Sequence, residues 1–147
     1  MMQQWRHSWF GFWREGSDGC EECPSVFDWI DPEWKSGVDV DRVVRYLESS
    51  PYVLATSADA CAICRNVERV ALAYRTDGAW YWPDDLAHYI VQHEVRLPDE
   101  FHARILGSRY TPPKALWQDE RGLVDLMKRL NAPPKHMAEL RHLAENR

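Results

Sequence analysis

Two short pairs of possible metal ligands, separated by 23 residues, most constrain the fold of this chain. Cys61 and Cys64 form a Cys-x2-Cys pair, and His88 and His93 form a His-x4-His pair. Structural zinc sites use four ligands in a tetrahedron, most often cysteine thiolates and histidine nitrogens. A β-hairpin followed by a helix would bring the histidines back over the cysteine turn. The spacing therefore predicts one zinc ion held by Cys61, Cys64, His88 and His93.

The spacing of the two histidines places a condition on this site, because they are five positions apart. On an ideal helix that spacing separates them by about 140°. We therefore expect the last turn of the helix to tighten or unwind so that both rings reach one ion. Zinc sites with roughly three to five residues between the histidines include this case.

A second Cys-x2-Cys pair leaves another set of ligands open. Cys20 and Cys23 could join Cys61 and Cys64 in an all-cysteine zinc site, and the histidines would then be ordinary helix residues. Cys20 and Cys23 could also be loop cysteines without a ligand role, and a fold without any metal is a further alternative. In a reducing compartment, cysteines paired in this way are more often metal ligands than disulfides.

The order of the predicted elements indicates an α+β fold in a single domain, residues 1–147. A chain of this length can bury one hydrophobic core. We divide it into an irregular Trp-rich segment at 1–37, a zinc-binding α+β unit at 38–107 and a C-terminal helical hairpin at 112–147. In the first segment, Trp5, Trp9, Phe12 and Trp13 have the spacing of one face of a short helix, although Gly11 weakens that prediction.

A zinc-stapled β-hairpin and a helix form the centre of the predicted fold. Residues 67–75 and 79–82 are the expected strands. Asp77 and Gly78 between them are typical of a two-residue turn, which needs positive φ at both positions. Pro83 suits the first position of the following helix, where a backbone N–H would have no partner.

Further elements are predicted on both sides of this centre. Apolar residues three, four and seven positions apart predict a helix from Asp39 to about residue 49, and an amphipathic helix is predicted at 115–130. A short helix is expected at 99–106, ending before Gly107. Residues 52–56 are rich in β-branched and aromatic side chains, which is typical of a strand. The same helical spacing predicts a last helix that contains Met137, Leu140 and Leu143.

The charge of the chain is −5 and is unevenly distributed. Between Glu15 and Asp41 there are nine acidic residues and one basic residue, Lys35. The eight tryptophans indicate either a dense aromatic core or an exposed aromatic recognition surface. Acidic groups beside aromatic side chains are typical of a surface that docks onto a basic protein. The expected partner-binding residues are Glu21, Glu22, Trp29, Asp31, Glu33 and Trp34.

Several classes of protein are disfavoured by the sequence. The acidic balance disfavours nucleic-acid binding, and the helix that carries the histidines has no basic residue before Arg96. The HExxH signature of zinc proteases is absent, because Leu97 stands where its second histidine would be. No apolar run is long enough to cross a membrane, and the N-terminus lacks the features of a signal peptide. We therefore expect a cytoplasmic protein.

The segment DGAWYWPDDLAHYIVQHEVRLPDEF, residues 77–101, resembles one in a group of small uncharacterised bacterial proteins with a pattern near DGxWxWPxxLxHYVxxHxVxLPxEF. That group has a Cys-x2-Cys pair where Cys61 and Cys64 stand, and a PSxxDxxDPxW segment at residues 24–34. The resemblance covers roughly residues 5–106. It implies that the histidines are ligands, because the group lacks cysteines at the positions of Cys20 and Cys23. More loosely, the site is similar to that of a zinc finger with two Cys and two His ligands.

These observations predict a small zinc-binding protein that acts by protein–protein binding and is not an enzyme. An acidic, Trp-rich chain of this size fits an immunity or inhibitor protein that neutralises a toxin with a basic surface. The first alternative is a nucleic-acid-binding or regulatory zinc-finger-like protein. The second is a zinc-dependent hydrolase, although four protein ligands would leave no open position for a catalytic water.

Overall fold

A computed structural model describes residues 5–16, 22–57, 60–65 and 71–131. Its elements in chain order are a 3-10 helix Val26–Trp29, helices α1 Pro32–Ser36 and α2 Val40–Ser49, strands β1 Tyr52–Ser57, β2 Ala71–Thr76 and β3 Tyr81–Pro83, and helices α3 Leu86–His93, α4 Asp99–Gly107 and α5 Glu120–Arg129. This is the predicted α+β fold, with a β-hairpin followed by a helix at its centre.

The three strands form an antiparallel sheet in the order β1-β2-β3. The hairpin between β2 and β3 closes at the pair Thr76 and Tyr81, so its loop has four residues, 77–80. The predicted two-residue turn is therefore wrong. Gly78 has the expected positive φ of 89°, whereas the φ of Asp77 is not positive. The carboxylate of Asp77 instead accepts the N–H groups of Ala79 and Trp80 at 2.9 and 2.7 Å.

The same carboxylate connects the hairpin loop to two helices. Asp77 is fully buried, and its Oδ2 accepts the hydroxyl proton of Tyr46 in α2 at 2.6 Å. Arg104 of α4 lies 3.7 Å from Oδ2 and supplies the opposite charge. Burial raises the pKa of Tyr46, and the hydrogen bond to Asp77 acts in the same direction. A buried carboxylate with this many partners holds the loop, α2 and α4 in one arrangement.

The sheet separates two hydrophobic clusters. Neighbouring residues of β3 point in opposite directions, so Trp82 enters the larger core cluster and Tyr81 enters the smaller core cluster. The larger core cluster contains the buried faces of α2, α3 and α4. The smaller core cluster comprises Trp9, Phe12, Cys23, Tyr74, Tyr81, Leu126, Met127 and Leu130. Trp5 packs against both clusters.

The N-terminal segment is extended rather than helical. Tyr81 accepts the N–H of Phe10 at 3.0 Å and donates its own N–H to Ser8 at 2.9 Å, so residues 8–10 lie along β3. Gly11 has a φ of 101°, and a Cβ at this position would lie 2.9 Å from the ring of Pro83. The predicted short helix is wrong because pairing with β3 and the positive φ of Gly11 both require a non-helical backbone.

Other boundaries also differ from the predictions. Pro83 ends β3, and α3 begins at Leu86. Pro32, in a segment expected to be a loop, lies in the first turn of α1, which is capped by the carboxylate of Asp31. The predicted last helix lies outside the described residues. Within the described ranges, every helix is too short or too polar to cross a membrane.

Candidate metal centre

A tight turn presents the two cysteines. Residues 62–64 form the turn, and the Sγ of Cys61 accepts the N–H groups of Ile63 and Cys64 at 3.4 and 3.5 Å. These hydrogen bonds fix the position of the Cys61 sulfur within the turn.

Both histidines belong to α3, where His88 is the third residue and His93 is the last. His93 is the last residue of the helix, because Glu94 adopts the left-handed conformation with a φ of 57° and its N–H returns to the carbonyl of Tyr89. The rings of His88 and His93 have their centroids 5.1 Å apart. The two rings are therefore neighbours, although five positions on an ideal helix would separate them by about 140°.

The four predicted ligands lie close enough to bind one metal ion. The Sγ of Cys61 lies 3.3 Å from Nε2 of His93, and the Sγ of Cys64 lies 3.5 Å from Nε2 of His88. All four ligand atoms are within 4.8 Å of one another. A tetrahedral ion with bonds of about 2.3 Å to sulfur and about 2.0 Å to nitrogen would place sulfur and nitrogen roughly 3.5 Å apart. The two observed sulfur–nitrogen distances match that value.

The cluster is sheltered on one side only. Cys61 is 4% exposed and belongs to the larger core cluster, whereas Cys64 is exposed and both histidines are half-buried. Burial lowers the pKa of His93. A lowered pKa favours the neutral imidazole, and the neutral form is the one that binds metals.

Tyr89 is a buried residue of the site that the sequence interpretation missed. Its hydroxyl oxygen accepts the N–H of Ala62, the residue after Cys61, at 2.8 Å. Burial raises the pKa of Tyr89, and the nearby charges of Asp85 and Cys61 raise it further. Its position four residues before His93 places both side chains on neighbouring parts of one helix face, but that spacing does not reveal which group the hydroxyl meets.

The bonding of Cys23 differs from that of the two cysteine ligand candidates. Cys23 is disulfide-bonded and buried, whereas Cys61 and Cys64 are free. A disulfide sulfur offers no thiolate, so Cys23 is not a ligand in this structure. Cys20 lies outside the described residues.

The expected partner-binding residues are not all on the surface. Trp29 is 1% exposed and belongs to the larger core cluster, which corrects its assignment to an exposed surface. Trp34 is half-buried against the ring of His102, and Asp31 pairs with Arg96 at 3.2 Å. Glu22 and Glu33 are exposed, and Glu21 lies outside the described residues. The tryptophans in the first third of the chain therefore build mainly core, and the acidic groups supply the surface.

No protein-family model, curated protein or solved structure matches this chain.

Proposed function

We propose that the protein binds one zinc ion through Cys61, Cys64, His88 and His93. The observation that carries this proposal is the convergence of their four ligand atoms within 4.8 Å. Two thiolates and two imidazoles are a donor set that suits zinc and does not suit magnesium or calcium. Four protein ligands fill a tetrahedron, which favours a structural role over a catalytic one.

The ion would add to the hydrogen bond and the core packing that already connect the cysteine turn with α3. The cysteine turn at residues 61–65 is irregular, and α3 has only eight residues. Helices of this length are marginal without tertiary contacts. Zinc would fix the turn to both ends of α3, while the buried face of α3 packs on α2.

We further propose that the protein acts by binding another protein that has a basic surface. The support is the acidic surface of the first third of the chain, where Glu22, Asp28 and Glu33 are exposed. Such a surface accelerates association with a basic partner and repels nucleic acid. Immunity and inhibitor proteins that neutralise a toxin are the class of binding protein that this small acidic chain fits best.

Elemental analysis of protein purified without chelators tests the zinc proposal. We expect one zinc per chain, and we expect the Cys64→Ser and His88→Gln variants to lose it. His7→Gln is the matched control, because His7 is a half-buried histidine outside the cluster. Wild-type protein that folds normally with no bound zinc would refute the proposal.

A separate experiment tests the binding role. Affinity purification of the tagged protein from its native cells should recover a basic protein partner, and purified partner should associate more slowly with a Glu22→Lys, Glu33→Lys variant. The zinc content of that variant should be unchanged. Turnover of a small substrate that requires the zinc, without any protein partner, would contradict the binding role and favour a hydrolase.

A further inference from the structure

The 3-10 helix Val26–Trp29 has an inner and an outer side. In a 3-10 helix, side chains three positions apart lie directly above one another. Val26 and Trp29 form one such pair, and both are buried. Phe27 and the next residue after the helix, Ile30, form the other pair, and they are 58% and 37% exposed. The helix therefore anchors itself with one apolar pair and presents the other to solvent.

Backbone contacts place the end of α3 beside this apolar pair. The N–H of Asp31 donates to the carbonyl of Glu94 at 2.8 Å, and the side chain of Lys35 donates to the carbonyl of Val91 at 2.7 Å. Ile30 also forms an antiparallel bridge with Val95. Residues 30 and 31 thus lie beside the end of α3, and the Lys35 side chain reaches its last turn, where Val91 is 39% exposed.

Exposed apolar side chains are concentrated at this place. Five large hydrophobic residues are exposed among those that the structure describes, and three of them are Phe27, Ile30 and Val91. The other two, Tyr52 and Leu106, belong to β1 and α4. Single exposed apolar residues are ordinary, but a group of them on a folded surface marks a binding site.

The charges around the group are mainly acidic. Asp28 and Glu33 are exposed and Glu94 is half-buried. The nearby cations are Lys35, which binds the neutral carbonyl of Val91, and Arg96, which forms ion pairs with Asp31 and Asp99. With those two aspartates the carboxylates number five against two cations, so the net charge that an approaching molecule meets here is negative.

We propose that Phe27, Ile30 and Val91, with Asp28 and Glu33 at their edge, form the docking site for a segment of a partner protein that presents Lys or Arg beside apolar side chains. This proposal rests on the proposed protein-binding role and locates it. A second copy of the chain would bring an equally acidic edge against the first, since a two-fold interface uses the same patch twice. Nucleic acid and anionic lipid would be repelled for the same reason.

The metal centre supports this surface. α3 carries both histidine ligands, and its last turn carries Val91 and receives the contacts from residues 31 and 35. An ion bound at the centre would hold the helix that forms one side of the docking site. The zinc would then serve recognition without touching the partner.

Two synthetic peptides test the docking site without a known partner. The first places Lys and Leu at the spacing of an amphipathic helix, and the second has the same length and charge but Ser in place of Leu. In fluorescence-anisotropy titrations at physiological salt, the Lys/Leu peptide should bind and the Lys/Ser peptide should bind at least about 10-fold more weakly, a loss of about 1.4 kcal/mol, because its apolar anchors are missing.

Matched substitutions locate the binding. Phe27→Ala and Val91→Ala should each weaken binding of the Lys/Leu peptide by about 5-fold or more. Tyr52→Ala and Leu106→Ala are the controls, because these residues are 59% and 46% exposed but lie elsewhere. Glu33→Gln should slow association and reduce its dependence on salt, whereas Glu48→Gln, an exposed acid in α2, should do so less.

Several outcomes would overturn the proposal. Equal binding of both peptides would show a purely electrostatic interaction, and equal loss in the control variants would show that the site lies elsewhere. Sedimentation that finds a wild-type dimer, which Phe27→Ala dissociates, would assign the surface to a second copy. A native partner that binds the Phe27→Ala and Val91→Ala variants normally would refute the proposed docking site but leave the proposed function intact. Wild-type protein that contains no zinc and still binds the Lys/Leu peptide through Phe27 would refute the zinc proposal and leave the docking site intact.

Discussion

Tyr89 joins the cysteine turn to α3 through a single oxygen atom. Its hydroxyl accepts the N–H of Ala62, which adjoins the candidate ligand Cys61. Groups that hold metal ligands in position commonly lower metal affinity by about 10- to 100-fold when they are removed. The residue is therefore a positioning group for the proposed zinc site, although it is not a ligand.

We expect Tyr89→Phe to keep the fold and to weaken zinc binding by about 10- to 100-fold, because the ring still fills its place in the core while the hydrogen bond to the cysteine turn is lost. Competition with a coloured chelator measures the affinity. Tyr52→Phe is the control, because the ring of Tyr52 is exposed and lies over Arg75 of the sheet rather than at the metal centre. An unchanged zinc affinity in Tyr89→Phe would mean that the hydroxyl serves only the turn.

The types and spacing of residues predicted the candidate metal ligands, but they did not predict the residues that hold those ligands in place. Cys61, Cys64, His88 and His93 could be predicted because few side chains bind metals and their spacing is restricted. Tyr89 could not be predicted as a member of the site, because a tyrosine on the buried face of a helix has the same local pattern whether its hydroxyl meets a thiolate or a carbonyl. Trp29 shows the same limit, since its neighbours in sequence do not reveal that it is buried.

At the scale of elements, α3 and α5 depend on different parts of the molecule. α3 carries two of the four candidate ligands and packs in the larger core cluster. Leu126 and Met127 of α5 pack in the smaller core cluster, on the other side of the sheet. Metal binding should therefore stabilise these two helices unequally.

Removal of the metal should loosen the turn at 61–65 and α3 while α5 stays protected. Zinc contributes on the order of 10 kcal/mol in small structural sites, and that energy acts directly on the segments that hold the ligands. Hydrogen exchange with mass spectrometry, before and after chelation and again after zinc is restored, measures the effect for each segment. Equal exchange in α3 with and without metal would show that core packing alone holds the helix.

The bounds of an element could be predicted where a local signal, such as a capping residue or a proline, sets its start. α2 begins at a capping aspartate and β1 follows a proline, and both lie close to their predicted bounds. The segment around Trp9 could not be predicted because it is buried on two sides. Trp9 and Phe12 enter the smaller core cluster, and Phe10 and Trp13 enter the larger one. When some of the aromatic residues from two buried faces are considered together, their spacing resembles that of one face of a helix.

For the whole molecule, the position of the sheet between two clusters could not be read from the sequence, because it depends on which strand the N-terminal segment joins. Pairing with Tyr81 places that segment at the boundary between the clusters. Trp5 then packs on both, and Tyr81 and Trp82 contribute to one each. The two clusters therefore share a strand and the side chain of one tryptophan.

Because of this sharing, we expect the zinc-saturated protein to unfold in a single transition. Met127→Ala in the smaller core cluster and Ile105→Ala in the larger should each destabilise by about 2–5 kcal/mol, since both side chains are fully buried. Each should shift the same urea transition, with tryptophan fluorescence and far-UV circular dichroism coinciding. Leu106→Ala, an exposed neighbour of Ile105, should change stability by no more than about 0.5 kcal/mol. If Met127→Ala instead produced an early transition that left the one sensitive to Ile105 in place, α5 and its cluster would form a separate folding unit and the single-domain prediction would fail.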